Sequence, residues 1–120
     1  MSKREWKLFI KDIAASVDKI LDYTRNMSRP EFFADSKTYD AVLRNLEIIG
    51  EATKNIPEEI RQKHGNVEWK KWAGLRDIAI HQYFGINEEI LWDIVSNKIA
   101  EFKIKIVQIL DEINAAGEAK

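Results

Sequence analysis

Cysteine is absent from the 120-residue sequence, and glycine and proline are scarce, with five and two copies. The lack of cysteine excludes disulfide bonds, thiolate zinc sites and cysteine nucleophiles. No apolar run approaches the roughly 18 residues that a membrane-spanning helix needs. The charged N-terminal stretch MSKREWKLFIKDIAAS also lacks the apolar segment of a signal peptide. We therefore expect a cytoplasmic protein without membrane contact.

A large net charge is missing as well, since 19 Lys and Arg residues balance 20 Asp and Glu residues to give −1. A global basic field that attracts nucleic acid is excluded, so any contact with phosphates needs a local patch. Hydrophobic residues, in contrast, make up 45% of the chain. That share is enough to build one core in a chain of this length, and we predict a single domain over residues 1–120.

Apolar residues recur at steps of three and four through four long segments, which predicts amphipathic helices. The predicted helices cover residues 1 to 23–26, 35–57, 69–82, and 87 to near the C-terminus. Strand signals are absent, and short connections favour antiparallel neighbours. We predict an all-α fold, an antiparallel four-helix up-and-down bundle with one or two extra short helices.

Local signals predict how several helices begin and end. Asp35 or Ser36 and Asn87 are expected N-caps, and Ser28 followed by Glu31 is a capping-box pattern. Gly65 is expected to close a short helix over residues 57–63 in the left-handed conformation.

Two helices carry apolar residues outside their main stripes, and a helix with two apolar faces is buried on two sides. One of those sides can belong to a second subunit, which makes a homodimer one reading of the sequence. The residues concerned are Ala41, Ile48 and Ala52 on the second helix, and Ala100, Ile104 and Val107 on the fourth.

The stretch GLRDIAIHQY, residues 74–83, concentrates side chains that can do chemistry. Asp77 and His81 are four residues apart and share a helix face, so the carboxylate can orient the imidazole. Arg76 lies five residues before His81, about 140° around the axis, and seven before Tyr83. Gly74 would let a backbone or a ligand approach closely just before Arg76.

Histidine and arginine together are the minimal set for cleaving RNA without a metal. The imidazole can transfer protons near neutral pH, and the guanidinium can hold a phosphate and stabilise its developing charge. One active-site histidine is too few for two proton transfers, but a homodimer supplies two. No metal-ligand set is visible in the sequence, and no cofactor is expected.

Structural roles explain the same residues equally well at the level of spacing. Arg76 can be a surface ion-pair partner of Asp77 or of an acidic residue on the fourth helix. Trp69 and Trp72 suit a core, and His64 can support a helix C-terminus. The pair Lys70 and Lys71 is most simply a solvated face.

Two segments resemble the HepT-like branch of the HEPN proteins: VLRNLEIIGEATKNIPEEI and WKKWAGLRDIAIHQYFGINEEILWDIV. The family's hallmark is an arginine, a polar residue, three more residues, a histidine, one more residue and a tyrosine. Here it reads Arg76, Asp77, residues 78–80, His81, Gln82 and Tyr83, with aspartate where asparagine is also common.

The resemblance implies a dimeric helical bundle in which Arg76 and His81 of both chains face a shared cleft. It implies a metal-independent ribonuclease, the toxin of a type II- or type VII-like toxin–antitoxin system, with RNA, and tRNA above all, as substrate. The implied antitoxin is a minimal nucleotidyltransferase that transfers AMP to Tyr83. Asp77 would orient the site. The role of Glu51 stays open between a contact at the dimer face and a place near the cleft.

Two other readings stay open. In the first, the chain is a non-catalytic subunit that partners a nucleotidyltransferase and binds a nucleotide through Arg76, with Tyr83 stacking on the base. In the second, it is a plain helical dimer in which the motif is structural.

Overall fold

The computed structural model describes residues 3–80 and 87–118. These residues form helices and no strand, which confirms the predicted all-α class. The helices are α1 (Lys3–Tyr23), α2 (Arg29–Ala34), α3 (Ser36–Lys54), α4 (Glu58–Lys63), α5 (Trp69–Ala73), α6 (Leu75–Ile80), α7 (Glu88–Asp93) and α8 (Ile99–Glu118), with a π-helical segment, Ile94–Lys98, between α7 and α8. Within the described ranges, no helix is long and apolar enough to cross a membrane.

The core is built from the apolar stripes of α1, α3 and the continuous run from α7 to α8. Helix α3 packs against α1 on one side and against α5 and α6 on another, and α1 also packs against α8. Fully buried side chains come from α1, α3, α7 and α8: Ile10, Ile13, Val17, Ile20, Leu46, Ile49, Leu91, Ile99, Phe102, Ile106 and Ile109. The up-and-down course of the helices and the homodimer stay predictions.

The predicted N-caps are confirmed. Asp35 accepts hydrogen bonds from the backbone N–H of Thr38 at 3.1 Å and from its hydroxyl at 3.0 Å. Ser28 and Glu31 form the reciprocal capping box at the start of α2. Asn87 accepts a bond from the backbone N–H of Ile90 at 3.1 Å. Each cap satisfies N–H groups that have no partner inside the helix, and so fixes where the helix begins.

The predicted left-handed cap at Gly65 is wrong. Helix α4 ends with His64 as its C-cap, at φ −115°, and the φ of Gly65 lies outside the left-handed range. The carbonyl of His64 accepts bonds from the Trp69 indole N–H at 3.0 Å and the Val67 backbone N–H at 3.1 Å. Because these donors satisfy the helix end, no left-handed glycine is required there.

The last helix is not one regular α-helix as predicted. The π-helical segment Ile94–Lys98 interrupts it, and a π turn inserts extra residues relative to an α turn. The buried stripe begins at Leu91, which is fully buried, whereas the preceding residue Ile90 is 54% exposed.

The expected second apolar faces differ between the two helices. On α3, Ala52 is buried within the chain itself. On α8, Ile104 is 63% exposed and Val107 is 38% exposed in the single chain. The second face of α8 is therefore open in the monomer, and a partner for it stays a prediction.

Candidate active site around Arg76

The helix that carries Arg76 is divided at Gly74, where the sequence predicted one continuous helix over 69–82. Gly74 keeps helical angles, φ −67° and ψ −15°. Its N–H donates to the Lys70 carbonyl at 3.0 Å, and its own carbonyl accepts from Asp77 N–H at 3.1 Å, a tightened three-residue spacing. The division is therefore a local tightening of the hydrogen-bond spacing between α5 and α6, at a glycine that keeps helical angles.

The close backbone approach lies at Gly50 on α3 and not at Gly74. A Cβ atom at position 50 would lie 2.5 Å from the backbone nitrogen of Arg76, 2.9 Å from its Cβ and 3.1 Å from the Ala73 carbonyl oxygen. A Cβ at Gly74 would meet only ordinary contacts of 3.4 and 3.5 Å. Only glycine fits where α3 crosses the start of α6, so this crossing fixes the base of the Arg76 side chain.

The guanidinium of Arg76 pairs with Glu51, the next residue on α3. Arg76 Nε lies 2.7 Å from Glu51 Oε2, and the two side chains are 40% and 57% exposed. The expected ion pair of Arg76 is thus confirmed, but its partner is Glu51 on α3, and neither Asp77 nor an acidic residue of the last helix. The sequence left the location of Glu51 undecided, and in the structure it contacts the predicted active-site arginine.

Arg76 borders an open surface groove of about 320 Å³. Phe9 and Asp12 of α1 line one wall, Arg76 lines the other, and the outward face of α3 forms the floor. A second ion pair, between Arg44 and Glu47 at 3.3 Å, lies on that floor. The groove therefore combines two guanidinium groups with three carboxylates, and each guanidinium is paired with one of them.

Part of the predicted motif lies beyond Arg76. Asp77 is exposed on α6. His81 and Tyr83 lie outside the described residues, and so does the predicted contact between Asp77 and His81. The roles of these three residues stay predictions.

The two tryptophans before the motif are packing residues, as expected. Trp69 is 6% exposed. Trp72 stacks on Phe102 of α8, with ring centroids 4.0 Å apart and planes 9° from parallel. This stack joins α5, the helix that precedes α6, to α8.

Two basic residues that precede the motif, Lys71 and His64, have acidic neighbours. Lys71 Nζ lies 2.6 Å from Glu68 Oε2, and the hydrogen bond from Lys71 lowers the pKa of the Glu68 carboxyl, with Lys98 and Lys105 adding to the effect. His64 Nε2 lies 3.4 Å from Glu112 Oε2 on α8. His64 therefore ties the end of α4 to α8.

Comparison with known proteins gives a consistent family match. The family model described as "Ribonuclease HepT-like" matches residues 13–109. A Methanocaldococcus jannaschii protein named as a putative RNase is 46% identical over 118 residues, covering 98% of both chains. A second M. jannaschii protein with the same kind of name is 40% identical over 118 residues, again covering 98% of both.

A Thermococcus cleftensis protein named as a probable ribonuclease HepT is 40% identical over 107 residues, covering 89% of this chain and 97% of the relative. No solved structure gives a significant match. The family match includes Gly50, Glu51 and Arg76 within its bounds, whereas Phe9 and Asp12 of the groove precede it.

Proposed function

The chain belongs to the HepT-like ribonuclease family, and on that premise we propose that it is a metal-independent endoribonuclease acting through Arg76 and His81. The observation that carries the proposal is the fixed position of Arg76, a half-exposed guanidinium at the edge of a groove. A guanidinium placed this way can bind a phosphate with two parallel hydrogen bonds. Residues 1–120 would form one such domain.

The proposed reaction is an internal displacement at phosphorus. One His81 imidazole takes the proton of the ribose 2′-hydroxyl, and the 2′-oxygen forms a bond to the adjacent phosphorus. The bond from phosphorus to the 5′-oxygen breaks, and a second imidazole gives its proton to that leaving oxygen. Arg76 neutralises the charge on the pentavalent phosphorus group, and the products are a 2′,3′-cyclic phosphate and a free 5′-hydroxyl.

Two proton transfers need two imidazoles, so we propose that the active form is a homodimer of antiparallel four-helix up-and-down bundles. If the helical spacing predicted from the sequence continues to position 81, positions 76 and 81 are about 140° apart around the axis. A twofold axis would bring Arg76 and His81 of both chains to one phosphodiester. Asp77 would orient His81 in each chain.

We propose tRNA as the substrate and a minimal nucleotidyltransferase as the antitoxin. Transfer of AMP from ATP to the Tyr83 hydroxyl, with release of pyrophosphate, would add a phosphate and a base beside Arg76. That phosphate would occupy the cation meant for the substrate. The modified chain would then bind RNA weakly and cleave it slowly.

Cleavage of labelled tRNA in EDTA tests the nuclease. Wild type should give cyclic-phosphate ends, and His81→Ala should lose at least about 100-fold in rate, because a general acid–base group contributes on the order of 10² to 10⁴. Arg76→Ala should also lose activity. Arg44→Ala is the matched control, since it removes an exposed arginine from the same groove floor.

Equal cleavage by wild type and His81→Ala would reject the nuclease mechanism. Tight AMP or ATP binding without any cleavage would favour the non-catalytic subunit instead. The rate should also peak near neutral pH and fall on both sides, because an ordinary histidine titrates near pH 6.5. A flat profile from about pH 5 to 9 would argue against His81 as acid or base.

Modification is tested by mass. Co-expression with a minimal nucleotidyltransferase encoded beside this chain should add one or more AMP units to the wild type and none to Tyr83→Phe. An AMP adduct that persists in Tyr83→Phe would place the modification elsewhere. No adduct on either protein would reject regulation by this route.

A further inference from the structure

We propose that Glu51 is a positioning residue that orients the Arg76 guanidinium toward the groove for phosphate binding. The proposal rests on the nuclease function above and adds to it a residue outside the Arg76–Tyr83 motif. Its basis is the 2.7 Å contact between Arg76 Nε and Glu51 Oε2. Both side chains line the same groove.

Arginine carries its charge at the end of a long side chain with many rotamers, so a fixed backbone does not by itself fix the guanidinium. Here α3 holds both ends of that side chain. Gly50 packs against the backbone nitrogen and Cβ of Arg76, and Glu51 holds Nε. Neighbouring helix residues point about 100° apart, so Gly50 can face α6 while Glu51 turns to the groove.

The ion pair between Arg76 and Glu51 is too exposed to contribute much to the stability of the fold. The two side chains are 40% and 57% accessible, and ion pairs in water contribute little to folding because solvent screens them. A role in aligning the charge fits this exposure better, since the groove must stay open to the phosphate.

A carboxylate close to a phosphate-binding cation also repels the phosphate, so its position matters. The contact runs through Nε, and a guanidinium has five N–H donors. One carboxylate at Nε does not use up that set, because the two terminal NH₂ groups can still bind a phosphate end-on with two parallel hydrogen bonds. Orientation by Glu51 and phosphate binding by Arg76 are therefore compatible.

Glu47 provides a matched control on the same helix. It lies one turn before Glu51, lines the same groove and pairs with Arg44 at 3.3 Å. Glu47→Gln removes the same charge from the same groove but leaves the contact at Arg76 intact. A difference between the two Gln variants therefore reports the contact and not the charge of the groove.

The test measures kcat and KM for RNA cleavage by wild type, Glu51→Gln and Glu47→Gln. We expect Glu51→Gln to lower kcat by about 10- to 100-fold, as small misplacements of catalytic groups do. Glu47→Gln should keep the wild-type kcat, and both variants should keep the wild-type melting temperature. In an Arg76→Ala background, Glu51→Gln should have no further effect, because the two residues act as one unit.

A spectroscopic measurement separates positioning from a general structural role. In protein labelled with ¹⁵N-arginine, the Nε–H signal that disappears in Arg76→Ala should shift in Glu51→Gln and stay in place in Glu47→Gln. An unmoved signal would overturn the proposal even if activity falls.

The outcomes also separate this proposal from the nuclease function. If wild type cleaves RNA and Glu51→Gln cleaves as fast or faster, Glu51 does not position Arg76 for catalysis and the nuclease function stands. Faster cleavage would mean that the carboxylate competes with the phosphate. If wild type does not cleave RNA, both proposals fall together.

Discussion

Gly50→Ala should lower the stability of the fold and displace Arg76 at the same time. The added methyl would lie 2.5 Å from the Arg76 backbone nitrogen and 3.1 Å from the Ala73 carbonyl oxygen. Backbone atoms cannot rotate away as a flexible side chain can, so α3 and α6 must move apart. That separation disturbs the packing along the crossing and shifts the base of the Arg76 side chain.

Two opposing effects set the magnitude. Alanine is favoured over glycine in a helix by roughly 0.5–1 kcal/mol. Forcing an extra methyl into a packed contact costs about 1–3 kcal/mol. Because the closest contact is to backbone, the steric cost should be above the middle of that range, at about 2–2.5 kcal/mol, and subtracting the gain for alanine leaves a net loss of about 1–2 kcal/mol. With an unfolding entropy of about 2.1 cal/mol/K per residue, a 120-residue chain should melt about 4–8 °C lower.

Thermal unfolding followed by circular dichroism measures this change, and Gly74→Ala is the control. Gly74 has helical angles, and a methyl there meets only contacts of 3.4 and 3.5 Å. Gly74→Ala should therefore stabilise the chain by roughly 0.4–1 kcal/mol. If Gly50→Ala melts at or above the wild-type temperature, α3 and α6 do not cross as closely as these distances state. Even at temperatures well below its melting temperature, Gly50→Ala should cleave RNA more slowly than the wild type.

Three further substitutions test how the helices are fixed. Asp35→Ala should lower the melting temperature near neutral pH, and the loss should shrink in acid. Hydrogen bonds from Thr38 lower the pKa of Asp35. The stability that the carboxylate contributes is therefore complete above the ordinary pKa of about 3.9 and is lost as the pH falls through the folded pKa. A loss that stays constant from neutral pH to acid would contradict this linkage. Arg61→Ala should cost about 1.5–3 kcal/mol in urea unfolding, because Arg61 Nη2 and Nε donate to the Thr53 and Ile56 carbonyls at 2.8 and 3.0 Å. Arg61→Lys should not restore the loss, since one ammonium does not reproduce the two-pronged contact, and full recovery would show that the two hydrogen bonds of Arg61 are not the cause of the loss. Trp72→Leu should destabilise more than Trp92→Leu in the same assay if the parallel stack on Phe102 joins α5 to α8; equal losses would reject that role.

The beginnings of the helices were predictable because their causes are local. Asp35 and Ser28 satisfy N–H groups three residues away, so the short sequence contains both partners of each bond. The core stripes of α1 and α3 follow the same logic, since helical periodicity alone decides which residues face inward.

The π-helical segment was not predictable in this way. In the structure Leu91 lies on the buried side and Ile90 does not. Both residues are apolar, and both fit a helical spacing. Only packing against the rest of the fold decides between them. Similarly, Gly65 had the sequence signal of a left-handed cap, but donors from Val67 and Trp69 satisfy the helix end instead.

The surroundings of Arg76 depend on tertiary contacts that no local pattern contains. The arginine itself was found from the motif, whereas its partner Glu51 is 25 positions away in the sequence and on another helix. A signal did exist at Gly50, because a glycine inside a strongly periodic helix often marks a close approach. The sequence does not give the position of α6, so the signal at Gly50 does not identify which segment packs against it.

Gly50 and Glu51 are neighbours, but they act on Arg76 in different ways. The crossing at Gly50 belongs to the core, so a change there must alter packing and the place of Arg76 together. The pair with Glu51 lies at the surface, so a change there should alter only the direction of the guanidinium. A site built on a helix crossing takes its precision from the rigid elements beneath it. A substitution at position 50 should therefore lower both stability and cleavage, whereas Glu51→Gln should lower cleavage alone. An arginine held only by its own helix would not show this difference.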